Sequence, residues 1–405
     1  MSNSILTSTA VTRKALLILH QKLNFIGSIN RQYDDSFAES GAKIGDSLKI
    51  RLPNQYTVRT GKTLNTQDTS ESSVTLQVAT QKGVDINFSS AELTMSIDDF
   101  SERVLEPAMS VLAANIENDA LSMYKNVYQE VSDVGATLTL AGVLNAQKRL
   151  TMALAPTDKR TLLLSPKSNV DLVSAASTLY NDRTKVADQY RKGLIGNDFF
   201  GFDSVFQNTL LPIHTTGTEA GADTGANVNG ASQTGASVTV NGTVTGTFKQ
   251  GDIISFEGTY DVHPETKATL SNLKQFVVTS DVADTYSSIP ISPSIVTSGA
   301  TQNVSASPTN GGAVYKQESD DSTAIAGSAD YQIDLAYHKD AFAFATADLV
   351  MPKGVDFSAR EVMDGLSLRI VRAYDINNDN FPCRVDILYG YKTIRPELAC
   401  RIGFN

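Results

Sequence analysis

The chain has 405 residues, of which 41% are hydrophobic and 19% are charged, so it is long enough for two or three folded domains. Its formal net charge of −10 argues against a protein whose main task is to wrap nucleic acid. The two cysteines, Cys383 and Cys400, are too few for a disulfide framework and lack metal-knuckle spacing. We therefore expect two buried free thiols in a reducing cytoplasm.

The N-terminal segment is predicted to be an amphipathic helix, because apolar residues recur at steps of three and four over residues 8–26. Its apolar run, 15–19, is too short for the core of a signal peptide. No stretch of the chain approaches the ~20 apolar residues of a membrane span. Residues 1–33 carry four basic side chains and no carboxylate. This helix therefore either packs on the body as a solvated element or faces DNA or an acidic partner.

Residues 43–90 change to the two-residue period that is typical of half-exposed strands. Polar and apolar residues alternate at 49–52 and 74–78, and the residues between them are rich in Thr, Ser, Gln and Gly. This pattern predicts one extended hairpin with a polar tip. Because an isolated two-stranded hairpin is only marginally stable in water, it either packs on its own domain or lies on a neighbouring subunit.

The longest predicted helix is a spine helix over residues 96–130. Ser96 supplies a capping hydroxyl at its start, and Asp98 and Asp99 place two carboxylates near the positive end of the helix. Pro107 lies inside this segment, so it should kink the helix or mark a second start.

The residues that follow mix short helices and strands. Helices are predicted over 141–154 and 166–179, and the apolar run 161–164 is typical of a buried strand. The regular alternation of strand and helix that marks a doubly wound parallel sheet does not occur. The pattern over residues 1–214 therefore indicates an α+β fold.

The composition changes at 216–329, which is built mainly of Gly, Thr, Ser, Ala, Val and Asn. Over 215–329 there are four Lys, no Arg and eleven Asp or Glu, a net charge of −7. Short alternating strands, as at 237–240, 253–256 and 276–278, are separated by turn signals. We predict an all-β barrel or sandwich inserted into a loop of the α+β domain. The alternative for this composition is a disordered polar linker.

Strand patterns resume at Tyr331. Residues 341–344 alternate small and large side chains, and residues 384–389 alternate charged and apolar ones. Both patterns predict strands with one buried face.

The chain carries no residue pattern that marks a catalytic or metal site. Gly61, Lys62 and Thr63 resemble the end of a phosphate-binding loop, but the position that must hold its first glycine is Tyr56. The adjacent carboxylates at 98–99 and 320–321 point in different directions in a helix or strand, so we interpret them as solvated charge or a helix start. The histidines are scattered one per element, at His20, His214, His263 and His338.

For His338 we expect a hydrogen-bonding role at a strand end rather than catalysis. We therefore name no catalytic, cofactor-binding or metal-binding residue and no cofactor. The chain is not expected to be an enzyme.

Several long segments resemble, in the same order, the major capsid (coat) protein of tailed bacteriophages. The nearest group is the short-tailed Salmonella-phage coat group with an inserted β-domain. Five segments carry the resemblance: 92–113, 201–215, 251–258, 331–351 and 365–401.

This resemblance implies the major capsid fold of tailed phages and herpesviruses, an α+β fold with peripheral and axial domains. It assigns residues 1–35 to an N-terminal arm and residues 36–215 plus 330–405 to the capsid-fold core. The core holds the extended hairpin and the spine helix, and 216–329 is an inserted all-β barrel that aids coat folding and control of shell size.

The resemblance also implies function and partners. Copies of the chain are expected to form an icosahedral shell of hexamers and pentamers, with T=7 symmetry typical of the group. A scaffolding protein guides a procapsid, a portal protein occupies one vertex, and packaged double-stranded DNA is contacted non-specifically on the inner face. No membrane takes part, and assembly occurs in the bacterial host cytoplasm. The alternative is a β-rich virion decoration or adhesin-like binding protein, which would not account for the spine helix.

Overall fold

The computed structural model describes most of the chain. The described residues are 8–33, 47–64, 66–67, 71–89, 106–176, 200–219, 225–244, 246–316, 326–355, 357–363, 365–376 and 380–404. The helices are α1 (Ser8–Lys22), α2 (Phe25–Ser28), α3 (Glu106–Leu121), α4 (Leu140–Met152) and α5 (Pro166–Ala176). Short 3₁₀ helices occupy Ser122–Asn126, Lys339–Ala341 and Pro396–Leu398.

The strands outnumber the helices among these residues. In the first half of the chain they are β1 (Asn30–Tyr33), β2 (Ser47–Arg51), β3 (Ser73–Gln77), β4 (Thr80–Ser89), β5 (Glu130–Asp133), β6 (Arg160–Leu164), β7 (Ser204–Gln207) and β8 (Ile213–Thr215). Next come β9 (Gly235–Val244), β10 (Ile253–Phe256), β11 (Tyr260–Val262), β12 (Thr269–Leu273), β13 (Phe276–Val278), β14 (Tyr286–Ile295) and β15 (Val314–Lys316). The last six are β16 (Asp330–His338), β17 (Phe342–Ala347), β18 (Phe357–Met363), β19 (Leu366–Arg372), β20 (Asn380–Thr393) and β21 (Ala399–Phe404).

The chain divides into two compact units. Unit 1 comprises Met1–Arg51, Ser73–Leu121 and Phe342–Ile394. Unit 2 comprises Leu52–Ser72, Ser122–Ala341 and Arg395–Asn405.

Unit 1 is built on a mixed sheet with the strand order β1-β17-β20-β19-β18, and β4 pairs with β20. Helix α1 packs on β18 and β19 and buries Ala15, Leu16 and Leu19. The predicted amphipathic helix is thus present and packed on its unit. Its basic residues Arg13 and Lys14 remain exposed, so the packed helix still offers positive charge to a partner.

The predicted extended hairpin of 43–90 is shorter than expected. Strands β2 and β3 pair over five residues each, but β4 leaves the hairpin and pairs with β20 along its whole length. Near this change of partner, the backbone of Gln77 passes close to Gly390: a Cβ on Gly390 would lie 2.1 Å from the Gln77 carbonyl oxygen, so glycine is required there. Pairing inside a large sheet stabilises β4 more than a two-stranded ribbon could.

The spine helix also ends earlier than predicted for 96–130. The α-helix is described from Glu106 to Leu121, tightens into a 3₁₀ turn, and gives way to β5 at Glu130. Pro107 is the second described residue of this helix, and the residues that precede Glu106 lie outside the described part of the chain. The start signal at Ser96 lies outside the described residues.

Unit 2 contains a second mixed sheet, which we call the carrier sheet: β5-β21-β16-β6-β7, with β8 also paired to β16. Helix α4 begins where the Thr139 hydroxyl accepts a hydrogen bond from the Gly142 N–H at 3.2 Å. Gly142 also lets α4 approach β21, because a Cβ there would meet the Phe404 ring at 2.9 Å. The predicted helix at 141–154 and strand at 161–164 are confirmed.

The prediction of one buried face for residues 341–344 is wrong. All six residues of β17 are buried, on both faces of the strand. β17 lies between β1 and β20, so it is an interior strand of its sheet. The alternation of small and large side chains therefore does not distinguish a buried face from an exposed one in this strand.

The inserted segment folds as a closed all-β barrel. Its five strands follow the order β15-β10-β13-β14-β9, and residues 226–229 close the circle. Asn227 pairs with Ala313 beside β15, and Val228 pairs with Val240 of β9. The enclosed core is apolar: Ala226, Val228, Val238, Val240, Phe248, Ile254, Phe256, Phe276, Val278, Val282, Tyr286, Ile289, Ile291, Ile295, Val304 and Val314. The predicted fold class, α+β with an inserted all-β barrel, is confirmed, and the disordered-linker alternative is wrong for the described residues.

Candidate functional site

In the part of the chain that the structure describes, His214, His263, His338 and Lys62 lie in separate elements; the side chain of His20 lies outside that part. His263 uses Nδ1 to accept the N–H groups of Glu265 and Thr266 at 3.2 Å each, inside a tight turn of the barrel. His338 ends β16, and its Nδ1 accepts the Asp340 N–H at 3.3 Å, which is the predicted role at a strand end. Lys62 lies in an exposed loop. The carboxylate pairs at 98–99 and 320–321 lie outside the described residues.

The two cysteines are buried and free, as predicted. Burial raises the pKa of the Cys383 thiol to about 11, so this thiol is unreactive at neutral pH. Among the described residues, no three His, Cys, Asp or Glu side chains lie close enough to hold a metal ion. No helix in the described part of the chain is long and apolar enough to cross a membrane.

The structure instead forms a buried polar cluster at the base of the barrel, around His214 of β8. Its Nε2 lies 2.9 Å from Asp252 Oδ1, and its Nδ1 lies 3.1 Å from the Tyr124 hydroxyl. The tautomer that satisfies both contacts donates Nε2–H to the carboxylate and accepts the phenol proton at Nδ1. His214 and Tyr124 belong to the part of unit 2 that carries the barrel, whereas Asp252 belongs to the barrel.

Asp252 fixes the chain at the entry to the barrel. Its Oδ2 accepts the N–H groups of Gly217 at 3.0 Å and Lys249 at 2.9 Å. Burial alone would raise the pKa of Asp252, but the hydrogen bond with His214 and the charge of Lys316 hold that pKa below its usual value. Asp252 is therefore ionised at neutral pH, and both of its carboxylate oxygens accept hydrogen bonds.

Lys316 closes the same cluster from β15. It is almost fully buried, and its Nζ donates to the carbonyl oxygens of Gly217 at 2.9 Å and Glu219 at 2.7 Å. Asp252 Oδ2 lies 3.9 Å away. Burial lowers the pKa of Lys316, whereas the neighbouring carboxylates favour its charged form.

The two chain segments that enter and leave the barrel pair with each other. We call these segments, 215–219 and 326–330, the neck. The Thr216 N–H donates to the Ala329 carbonyl at 3.0 Å, and the Ser328 N–H donates to the Gly217 carbonyl at 2.9 Å. A Cβ on Gly217 would lie 2.0 Å from the Thr247 carbonyl oxygen, so only glycine fits there.

A second polar group joins the barrel to the carrier sheet through Arg401 of β21. Its guanidinium forms an ion pair with Glu130 of β5, and both side chains are fully buried. The Tyr331 hydroxyl donates to the same carboxylate at 2.9 Å. Arg401 also donates from Nη1 to the Gly251 carbonyl at 2.8 Å, which links the sheet directly to the barrel.

Gln275 of the barrel completes the attachment. Its Oε1 accepts the Glu130 N–H and its Nε2 donates to the Glu130 carbonyl, both at 2.9 Å. The side-chain amide thus takes the place of a neighbouring strand at the edge strand β5. Beside it, Tyr128 packs on Ile253 and Val277 of the barrel. These buried contacts orient the barrel on the carrier sheet.

Asp334 of β16 gives unit 2 a pH-sensitive feature. Its Oδ1 accepts the Ser165 N–H at 2.7 Å, at the start of α5. Burial raises the pKa of Asp334 to about 7, against hydrogen bonds that lower it. Because the folded-state pKa exceeds the usual value of 3.8, the contribution of this group to stability is full below pH 3.8 and is lost as pH rises through 7.

We expect the contribution of Asp334 to the free energy of unfolding to fall by about 2–3 kcal/mol from pH 5 to pH 8, at about 1.4 kcal/mol per pH unit. Asp334→Asn should remove this part of the pH dependence. Urea unfolding of both proteins at several pH values measures the difference. Parallel curves of stability against pH for the two proteins would contradict the assignment.

The tip of the hairpin is the most exposed apolar surface described. The exposed fraction is 96% for Val58, 77% for Leu64 and 56% for Tyr56. The charged residues among 52–64 are Arg59 and Lys62, both positive. Apolar side chains at this exposure, grouped in one loop, mark an interaction site.

One protein-family model matches most of the chain. The family model described as "P22 coat protein - gene protein 5" matches residues 26–404. No curated protein sequence matches the chain.

Solved structures with a similar chain course include phage proteins. A protein of Mycobacterium phage Che8 has a TM-score of 0.44 at 12% identity, over 94% of this chain and 90% of that chain. The "head structure of Helicobacter pylori bacteriophage KHP40" gives 0.44 at 9% identity, over 92% and 87%. The "asymmetric unit of bacteriophage PhiM1 mature capsid" gives 0.43 at 11% identity, over 95% and 87%.

The family model covers nearly the whole chain, including the barrel, the carrier sheet and the closing strands. A match of this length decides against the alternative of a decoration or adhesin-like protein. The chain therefore belongs to the P22 coat protein family and is a major capsid protein, whose copies form the shell of a bacteriophage.

Proposed function

We propose that copies of this chain assemble with a scaffolding protein into a procapsid of pentamers and hexamers on a T=7 lattice. A portal protein occupies one vertex, and double-stranded DNA is then packaged into the shell. Assembly takes place in the cytoplasm of the bacterial host, without a membrane. The chain acts through these contacts and not through catalysis.

The hairpin tip is the observation that supports assembly through self-contact. Val58 is 96% exposed, so its own chain covers almost none of this side chain. Only another molecule can bury it. Full burial of a valine stabilises a contact by about 1.5–3 kcal/mol. Repeated in every copy of a closed shell, a modest contact of this kind gives a stable assembly. We therefore place the tip on a neighbouring copy.

The N-terminal helix supports a contact with packaged DNA. Arg13 has 72% of its side chain exposed and makes one long ion pair, 3.8 Å, with Glu361. Lys14 is exposed beside it, and the helix holds no carboxylate. A few basic side chains of this kind bind phosphates weakly and without regard to sequence. This fits a shell whose inner face touches DNA non-specifically.

We also propose a division of the chain into structural domains. Residues 1–35 form the N-terminal arm, residues 36–215 with 330–405 form the core, and 216–329 form the inserted domain. The paired neck favours the last boundary, because the barrel has its own apolar core and joins the rest of unit 2 through these two segments.

Sedimentation velocity tests the proposed assembly. We expect the protein, expressed with its scaffolding protein, to give a fast fraction that electron microscopy shows as closed shells. Expressed alone, it should give monomers or irregular shells. A species no larger than a trimer under both conditions, with scaffolding protein confirmed in the sample, would refute assembly by this route.

A further inference from the structure

One side chain organises the hairpin tip. Gln67 reaches across the loop to Thr57 and makes three hydrogen bonds with it. Gln67 Oε1 accepts the Thr57 N–H at 2.8 Å and the Thr57 hydroxyl at 2.9 Å. Gln67 Nε2 donates to the Thr57 carbonyl at 2.6 Å. The amide of Gln67 thus binds Thr57 as a paired strand would, and adds a bond to its hydroxyl.

These hydrogen bonds lie in solvent, since both Thr57 and Gln67 are exposed. Water could satisfy the same groups, so the net gain in stability of the monomer is small. The larger effect is conformational, because three bonds to one residue fix the path of the chain at Thr57. Next to it, the Arg59 guanidinium donates to the carbonyl of Gly61, whose φ of +100° favours glycine.

The fixed residue is the immediate neighbour of the exposed apolar side chains. Tyr56 precedes Thr57 and Val58 follows it, so the hold on Thr57 sets the direction in which both side chains project. A loop that is ordered before it binds loses less conformational entropy on docking. The hydrogen bonds of Gln67 therefore strengthen association between copies more than they stabilise the folded monomer.

We infer that Gln67 is a positioning residue for assembly, which holds the tip in the shape that a second copy of this chain receives. The inference rests on the proposed docking of the hairpin on a neighbouring copy. A surface that receives this tip must supply apolar contacts to Val58 and Tyr56 and acidic groups to Arg59 and Lys62.

The charge of the chain favours a second copy as the receiver. Arg59 and Lys62 lie on the arm of the loop that carries Tyr56 and Val58, whereas Asp68 and Glu71 follow Gln67 in the sequence, so the loop as a whole has no net charge. The positive arm complements acidic surface, which a chain of net charge −10 offers on its other copies. Isologous or ring-forming contacts between identical chains need this kind of complementarity between two patches of one sequence.

Two substitutions of Gln67 test the inference. Gln67→Ala removes all three hydrogen bonds. Gln67→Glu keeps the size and the acceptor but loses the donor, and it sets a carboxylate against the Thr57 carbonyl. Thr66→Ala, one residue away in the same exposed loop, is the matched control. Light scattering would measure the protein concentration at which assembly with scaffolding protein is half complete.

We expect Gln67→Ala and Gln67→Glu to raise this concentration about tenfold, with the thermal unfolding of the monomer unchanged. Thr66→Ala should behave as the unaltered protein. In hydrogen exchange on the monomer, the Thr57 amide should be protected in the unaltered protein and lose that protection in Gln67→Ala. A Thr57 amide that exchanges at the rate of a free loop in the unaltered protein would overturn the inference without any assembly assay.

A variant with a shortened hairpin, in which Asn-Gly replaces residues 53–71, distinguishes two claims. One is that the tip docks on a neighbouring copy, and the other is that Gln67 positions the tip for docking. If the shortened chain forms normal shells, docking of the tip on a neighbouring copy is wrong. If the shortened chain fails to assemble while both Gln67 variants assemble like the unaltered protein, docking stands and the role of Gln67 is refuted. Loss of assembly in the shortened chain and in both Gln67 variants supports both.

Discussion

Replacement of Arg401 with methionine should lower the free energy of unfolding by about 3–5 kcal/mol, because it leaves a buried carboxylate without its cation. Glu130 and Arg401 are both fully buried, so water cannot solvate the charge that remains. The substitution also deprives the Gly251 carbonyl of its donor at the base of the barrel. Urea unfolding followed by tyrosine fluorescence suits this chain, which has 14 tyrosines and no tryptophan.

Two controls define the origin of this loss. Arg395→Met removes a cation whose ion pair with Glu397 is about one-third exposed, and it should cost about 1 kcal/mol or less. The double variant Glu130→Leu with Arg401→Met replaces both charges by apolar groups and should recover much of the stability. A loss below about 1 kcal/mol for Arg401→Met alone would show that Glu130 is not held as an isolated buried charge.

Truncation of Phe256 to alanine should destabilise the barrel by about 3–5 kcal/mol. Phe256 and Phe276 are fully buried, and their ring centroids lie 5.5 Å apart. The cavity left by the ring cannot collapse easily, because the barrel is closed on all sides by paired strands. The loss would appear as a lower urea midpoint of the monomer.

Phe256→Leu is the matched variant, since it keeps most of the apolar volume, and it should cost about 1.5 kcal/mol or less. Tyr260→Ala removes a side chain that is 39% exposed and serves as the surface control. Equal effects for Phe256→Ala and Tyr260→Ala would mean that the barrel core is not packed as described.

The junction beneath the barrel bears on how the shell is built. Asp252, Lys316 and Gln275 of the barrel all bind groups of the neck or the carrier sheet in buried positions. Motion of the barrel against the carrier sheet would have to break several of these hydrogen bonds at once. We therefore expect the barrel and its carrier sheet to keep one arrangement from monomer to shell.

Much of the local structure could be predicted from the sequence, because residues close together along the chain determine where helices and strands form. The helices α1, α4 and α5 follow from apolar spacing and capping residues, and the strands of the barrel follow from alternation between turn signals. The composition of 216–329 indicated a separate β unit before any strand was paired. The likeness of long ordered segments to tailed-phage coat proteins indicated the family.

The limits of the helices and the partners of the strands were harder to predict. Residues 80–89 alternate like the rest of a hairpin, yet they pair with β20, which lies 300 residues further along the chain. Alternation shows that a strand has two different faces, but it does not name the neighbour. Likewise, the apolar spacing past Leu121 fits an α-helix, yet Ser122–Asn126 form a 3₁₀ helix.

The sequence by itself determined the family, the α+β class, the inserted barrel and the absence of a recognisable catalytic motif, because each depends on local pattern or on resemblance along the chain. Only the tertiary structure brought His214, Asp252 and Lys316 into one cluster and set Arg401 on Glu130. Each of these residues is unremarkable in its own segment. Their interaction exists because the fold buries them together, where an unpaired charge is costly and only a complete set of partners is stable.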